Sequence, residues 1–257
     1  MNRKKIAANL LFFIGLLLLW QLLYTSACDW FGWAKPYAIP NPVGVLRCII
    51  LLFSNGTLLA AIGSSLLRVL LGFIISIVIG VILGILIVHS SYLEQNLKPL
   101  ILGIQTLPSI CWVPFAILWF GLSESAIIFV VIMGSAFGIA IAIESCIKNV
   151  PPIYIKAART MGVDSFELYR QVIFPAALPA FVAGLKQGWS FAWRALMSGE
   201  VMSASMGLGY TLMVGRDLAD INQVMTVMLV IILIGVLIDK GVFGLAERKI
   251  LLVRGLL

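Results

Sequence analysis

Charge is scarce in this chain. Asp, Glu, Lys and Arg make up 11% of its 257 residues, under half the roughly 25% of a soluble globular domain. That shortage excludes an ordinary water-soluble fold. Histidine occurs once, at His89. A histidine-based metal centre is excluded, and His89 reads as an interfacial residue. The four cysteines stand at positions 28, 48, 111 and 146, a spacing that matches no metal motif. They read as small buried thiols. Cys28 and Cys48 fall in one outer region, where a disulfide between them stays an open alternative. No G-x-x-x-x-G-K-[ST] phosphate loop is present, so the chain itself should bind no ATP. No nucleophile triad, paired carboxylates or H-E-x-x-H motif stands out. Glu144 and Glu200 read as isolated carboxylates near span ends, without a catalytic role.

What the chain has is apolar length: 61% of its residues are hydrophobic. A bilayer is crossed by about 20 apolar residues in a helix. Six runs qualify: Ile6–Tyr24 and, by number, 58–88, 99–121, 124–146, 176–200 and 222–244. The chain therefore reads as an all-α, polytopic membrane protein with a single transmembrane domain over 1–257. Asn2-Arg3-Lys4-Lys5 opens it like a signal peptide, but no small-residue cleavage site follows, so the first run reads as a retained helix. Between 26 and 57, Trp30, Trp33 and Tyr37 suit a membrane–water interface. Asn41-Pro42 can start a short helix lying flat on the outer surface, too short to span. Gly72, Gly80 and Gly84 in the second run would let another helix approach closely.

The net charge of +7 points to orientation and not to nucleic acid. With the N-terminus inside, twelve Lys and Arg residues, from Arg3 to Arg254, fall in cytoplasmic parts. Three, Lys35, Arg47 and Arg216, fall outside. Three more, Arg68, Lys186 and Arg194, lie within spans. Twelve against three obeys the positive-inside rule and puts both termini in the cytoplasm.

The longest polar interruption, about 148–175, then lies in the cytoplasm as well. Pro151 and Pro152 suit the first turn of a helix. That helix should run from about Ile153 to Met161 and close at Gly162, which takes a left-handed conformation without a Cβ penalty. Asp164 and Glu167 form a capping-box-like start for a second helix. Pro175 and Pro179 mark where this helix stops before the next apolar run.

The loop also carries a family resemblance. Ala157-Ala158, Gly162, Val172, Pro175 and Leu178-Pro179 resemble the E-A-A…G…I-x-L-P loop of binding-protein-dependent ABC importer permeases. Lys156 stands where that family usually has Glu, and Phe174 where it usually has Leu. Further stretches resemble the nitrate/sulfonate/taurine/bicarbonate branch. They are Ile39-Pro40-Asn41-Pro42, SLLRVLLGF, LPSICWVPFAILWFGLSE, Trp193, Glu200 and Gly207-Leu208-Gly209-Tyr210.

The resemblance implies a permease subunit in a bacterial inner membrane, paired with a second permease copy. Two ATP-binding subunits beneath would hold ATP and Mg, and an extracytoplasmic substrate-binding protein would dock outside. Lys156, Ala157, Ala158, Gly162 and Pro175 would couple ATP hydrolysis to the spans. The solute is expected to be a small anion of the sulfonate, taurine or nitrate type. A vitamin-precursor-like molecule is the alternative substrate, and a stand-alone secondary transporter or channel the alternative function.

Polar residues within spans are costly and usually face a bundle interior or a water path. Gln187, Ser190, Arg194 and Ser198 recur on one helical face. They are assigned to a substrate pathway together with Arg68, Gln105 and Trp112; Thr106 and Ser109 could join it. Lys186 borders the stripe and is expected to snorkel.

Overall fold

In a hydrocarbon setting every backbone N–H and C=O must be satisfied within the chain, so apolar runs of this length close on themselves as helices. A computed structural model describes residues 3–30, 32, 33, 35 and 37–253, and among them there is no strand. Asn2 and Arg254, used in the readings above, lie outside the described residues. The helices are α1 (Arg3–Thr25), α2 (Pro42–Ser54), α3 (Thr57–His89), α4 (Ser91–Gln105), α5 (Val113–Phe120) and α6 (Glu124–Lys148). They continue with α7 (Pro152–Thr160), the single turn α8 (Ser165–Glu167), α9 (Phe174–Val201), α10 (Leu208–Asp217), α11 (Ile221–Ile238) and α12 (Gly244–Val253). Among the described residues five segments are long and apolar enough to cross a membrane, or six if a bent pair counts as one span.

The bent pair corrects the expectation of a straight third span over 99–121. α4 and the segment Ser109–Phe120 meet at 98°. Pro108 is the cause. It has no N–H to donate, and its ring pushes the preceding residue out of the helical region. α4 ends in tightened i→i−3 bonds, Thr106 N–H to Gly103 and Leu107 N–H to Ile104.

A second correction concerns the fifth span. Pro175 and Pro179 do not stop a helix. Residues 165–201 run on through α8, a π-helical turn at Leu168–Ile173, and α9. The Phe174 N–H bonds to the Tyr169 carbonyl across the wide turn. Pro175 sits in the first turn of α9, where its missing N–H costs little.

The chain forms two compact units. The first comprises Met1–Gly63 and Met206–Ile231. Its α2 begins as the Asn-Pro pair suggests: Asn41 caps the helix by accepting from the Val43 N–H at 3.0 Å, with Pro42 in the first turn. The Asn41 N–H donates to Asn222 Oδ1 at 2.9 Å, and the Thr226 hydroxyl donates to the Val45 carbonyl. Helix α10, which periodicity did not reveal, is tied to α11 by the Gln223 side chain donating to the Thr211 carbonyl. Cys28 and Cys48 are free thiols, both partly exposed. Of the four cysteines only Cys146 is buried and Cys111 is exposed, so the buried-thiol reading holds for one position.

The second unit comprises Ser64–Ser205 and Ile232–Leu257, with α6 at its centre. The three glycines of α3 face α6, as close approach demands. A Cβ on Gly72, Gly80 or Gly84 would meet Val131, Ile139 or Ile143 at 2.6–2.7 Å. Small residues also line the α6–α9 contact, where Gly188 abuts Ile139 and Gly134 abuts Ala195. Between α3 and α6 the buried Ser76 and Ser135 hydroxyls lie 2.8 Å apart, each beside a carbonyl one turn back. Gly80→Leu is expected to push α3 from α6 and cost about 1–3 kcal/mol. Reversible denaturation in detergent micelles checks this; a stability equal to the parent's would refute the close packing.

Candidate functional site

Two constructions in the second unit bear chemistry. The first is an elbow. Pro151-Pro152 starts α7 without needing the lost N–H groups, and the helix closes at Gly162, whose φ is +77°. The closing bonds are those of a Schellman motif. The Val163 N–H reaches the Ala158 carbonyl at 3.1 Å, and the Gly162 N–H reaches Arg159 at 3.0 Å. The two alanines divide their tasks. Ala158 is buried and packs with Cys146, Val150, Leu168, Ile173 and Ala177. Ala157 and Lys156 are exposed. Pro175 is partly buried in the first turn of α9. The elbow is thus bolted to the end of α6 and the start of α9 by its own small core. Its Ile153, Tyr154 and Met161 are each more than half exposed. Large apolar side chains left exposed on one short segment point to an interaction surface.

The second construction is a cleft of about 370 Å³ between the α4 break, α6 and α9. Gln105, Thr106 and Ser109 line it from the break, Met133 and Phe137 from α6, and Phe191 and Arg194 from α9. The break at Pro108 is what turns those polar residues inward, so the kink and the cleft have one cause. The Arg194 Nε–H donates to the Ser190 carbonyl at 3.1 Å, and the guanidinium lies over the Phe191 ring at 5.1 Å. Its residue is exposed, and among the described residues no carboxylate pairs with it. Ser198 stands 3.2 Å from Ser109, joining the stripe to the break. Gln187 is exposed one turn before Ser190.

Of the seven residues assigned to the pathway, Gln105 and Arg194 line this cleft, while Gln187, Ser190, Ser198, Trp112 and Arg68 do not. Trp112 is not in the cleft lining; it packs on Phe115 and Phe129 in an apolar cluster. Arg68 is 3% exposed. It donates to Glu200 at 3.0 Å and to Glu124 at 2.9 Å, and Ser65 Oγ lies 2.8 Å from both Glu200 oxygens. A buried guanidinium needs such compensation, because desolvation of an unpaired ion costs several kcal/mol. Arg68 is therefore a cross-brace joining α3, α6 and α9. Glu200 and Glu144 are corrected with it, since neither is isolated. Glu144 takes Lys98 at 3.0 Å and Lys148 at 3.3 Å, and Lys148 also pairs with Glu94. Lys186 does not snorkel freely either. It reaches Asp239 at 3.4 Å and Glu247 at 4.0 Å.

Comparison with known proteins shows the family and the fold. Residues 76–249 match the family model described as the binding-protein-dependent transport system inner membrane component. The chain is 33% identical over 226 residues to the putative aliphatic sulfonates transport permease protein SsuC of Escherichia coli (strain K12), covering 88% of this chain and 84% of that protein. It is 27% identical over 254 residues to the nitrate import permease protein NrtB of Leptolyngbya laminosa, covering 96% and 88%. Among solved structures, an inward-facing conformation of the MetNI methionine ABC transporter shares the fold. The TM-score is 0.64 at 21% identity, over 76% of this chain and 96% of the solved one.

Proposed function

The chain belongs to the binding-protein-dependent transport system inner membrane components, and from that premise we propose that it is the permease of an ATP-driven importer of a small anionic solute. It is a multi-pass membrane subunit of an ABC importer. The working assembly we infer has two copies of this chain, two ATP-binding subunits under the elbows, and a substrate-binding protein on the outer face. The charge asymmetry of its loops supports cytoplasmic termini and a cytoplasmic elbow. Relatives named for aliphatic sulfonates and nitrate support an oxyanion as cargo.

The observation that carries the anion reading is Arg194. An arginine within a span is costly unless paired or hydrated. Here it is held by a carbonyl and a ring, and it faces a cleft with no acid partner among the described residues. Guanidinium stays charged and can take sulfonate or carboxylate oxygens two at a time. Its single intrahelical anchor leaves a weak, transient site, which suits passage better than storage.

The exposed elbow supplies the drive. Closure of the ATPase dimer would move α7, and the core around Ala158 would carry that motion into α6 and α9 as a rigid body. Arg194→Ala is expected to lower ATP-driven uptake of an aliphatic sulfonate in proteoliposomes about tenfold, the effect of losing roughly 1.4 kcal/mol. Arg194→Lys should retain part of the activity, since a point charge replaces the fork. Complex yield should not change for either. Parental uptake by Arg194→Ala would exclude the anion role, and failed assembly would make Arg194 a packing residue.

A further inference from the structure

A second cleft, of about 380 Å³, opens where the ends of α3 and α6 meet the π-helical turn and the start of α9. We propose that it binds one acyl chain of an anionic phospholipid, with Arg170 holding the headgroup phosphate. Its lining is almost wholly apolar, from Val81 and Ile85 on α3 to Ala177 and Phe181 on α9. It extends along α3 from His89 back to Val81, about 12 Å at 1.5 Å per residue. That end of the cleft follows an apolar, span-length helix, while Phe166, Tyr169 and Arg170 line the other end from the segment assigned to the cytoplasm. A lipid can lay its tail along the α3 end from the bilayer and keep its headgroup beside Arg170 at the other end.

The charge at the mouth selects the headgroup. Arg170 is the one Lys or Arg in the lining, no carboxylate lines the cleft, and Arg170 makes no ion pair among the described residues. Tyr169 and His89 line the cleft too, both exposed. Guanidinium binds phosphate in a fork, and basic pockets between spans near the cytoplasmic face suit anionic lipid headgroups. The π-helical turn brings both halves of the site together, placing Arg170 at the mouth and Ile173 in the wall. Cys146, Ile173 and Ala177 belong both to this wall and to the core that bolts down the elbow. The lipid would therefore wedge the anchor of α7, making coupling sensitive to membrane composition. The binding site stands without the coupling role, so failure of one is distinguishable from failure of the other.

Native mass spectrometry of the purified chain tests the site, with phosphatidylglycerol and phosphatidylcholine of identical tails as probes. One phosphatidylglycerol should be retained about fivefold better than phosphatidylcholine, the worth of one basic residue beside an anionic lipid surface. Arg170→Gln should erase that preference. Val81→Phe, which fills the deep end, should lower retention of both lipids. Arg159→Gln, on α7 outside the cleft, should change nothing. Equal retention of the two lipids by the parent, or parental retention by Arg170→Gln, would overturn the proposal. So would loss of the bound lipid in dimeric or ATPase-bound species, which would show a protein surface covering the cleft.

Discussion

Replacing Arg68 by Ala is expected to cost the folded chain about 3–5 kcal/mol, the usual result of stripping one partner from a buried ion pair. Glu200 is fully buried and would lose its guanidinium partner. The brace joins residues 132 and 56 positions apart, so its loss loosens three helices at once. Glu124→Ala should cost far less. Its side chain is 65% exposed, and exposed ion pairs contribute about 0–1 kcal/mol. Reversible denaturation in detergent ranks the two variants. A Glu124→Ala loss as large as that of Arg68→Ala would contradict the assignment of the buried arm as the strong one. Transport by the surviving folded fraction separates this role from the pathway role. A structural Arg68 lowers yield, while a pathway Arg68 lowers turnover at normal yield.

Gly162→Val is expected to weaken coupling several-fold while leaving the chain inserted and folded. A Cβ at this position would meet no atom within 4 Å, so the cost is in the backbone alone. At φ +77° a non-glycine residue in the left-handed region costs about 1–2 kcal/mol, and a β-branched one sits there least well. The easiest relief is to unwind the last turn of α7, which releases Met161 from its projecting position and frees the Ala158 carbonyl. The ATPase should then lose its grip on the elbow, and substrate-stimulated ATP hydrolysis should fall several-fold. Gly162→Asn should retain more, because Asn tolerates that conformation. Wild-type stimulation in an assembled Gly162→Val complex would show that the elbow's shape is irrelevant to coupling.

Much of the fold was legible because it is written locally. Pro151-Pro152 and Gly162 punctuate α7 within twelve residues, and the helix falls within a residue of where they put it. Asn41-Pro42 does the same for α2. Proline was the source of the errors, because its effect depends on what precedes it. Pro175 follows a wide π turn that absorbs the missing N–H, so the helix continues. Pro108 follows a tightened turn, so the chain breaks. Neither preceding turn has a signature in hydrophobic periodicity.

The site divides along the same line. Arg194 and its stripe share one helix face and could be found by counting residues. The partners of Arg68 and Lys186 could not, because they stand on helices far away in sequence. A charge in a span announces that it must be compensated. Only the packing of helices says whether a carboxylate or a solute does so.

The central claim is that this chain carries solute only as the membrane part of an ATP-driven assembly. The direct measurement is uptake into proteoliposomes by the chain alone and by the chain with its co-purified ATPase and binding protein. The account predicts uptake of an aliphatic sulfonate or nitrate only in the full assembly, and only with ATP supplied on the ATPase side. Uptake by the chain alone, driven by an ion gradient and indifferent to ATP, would contradict it.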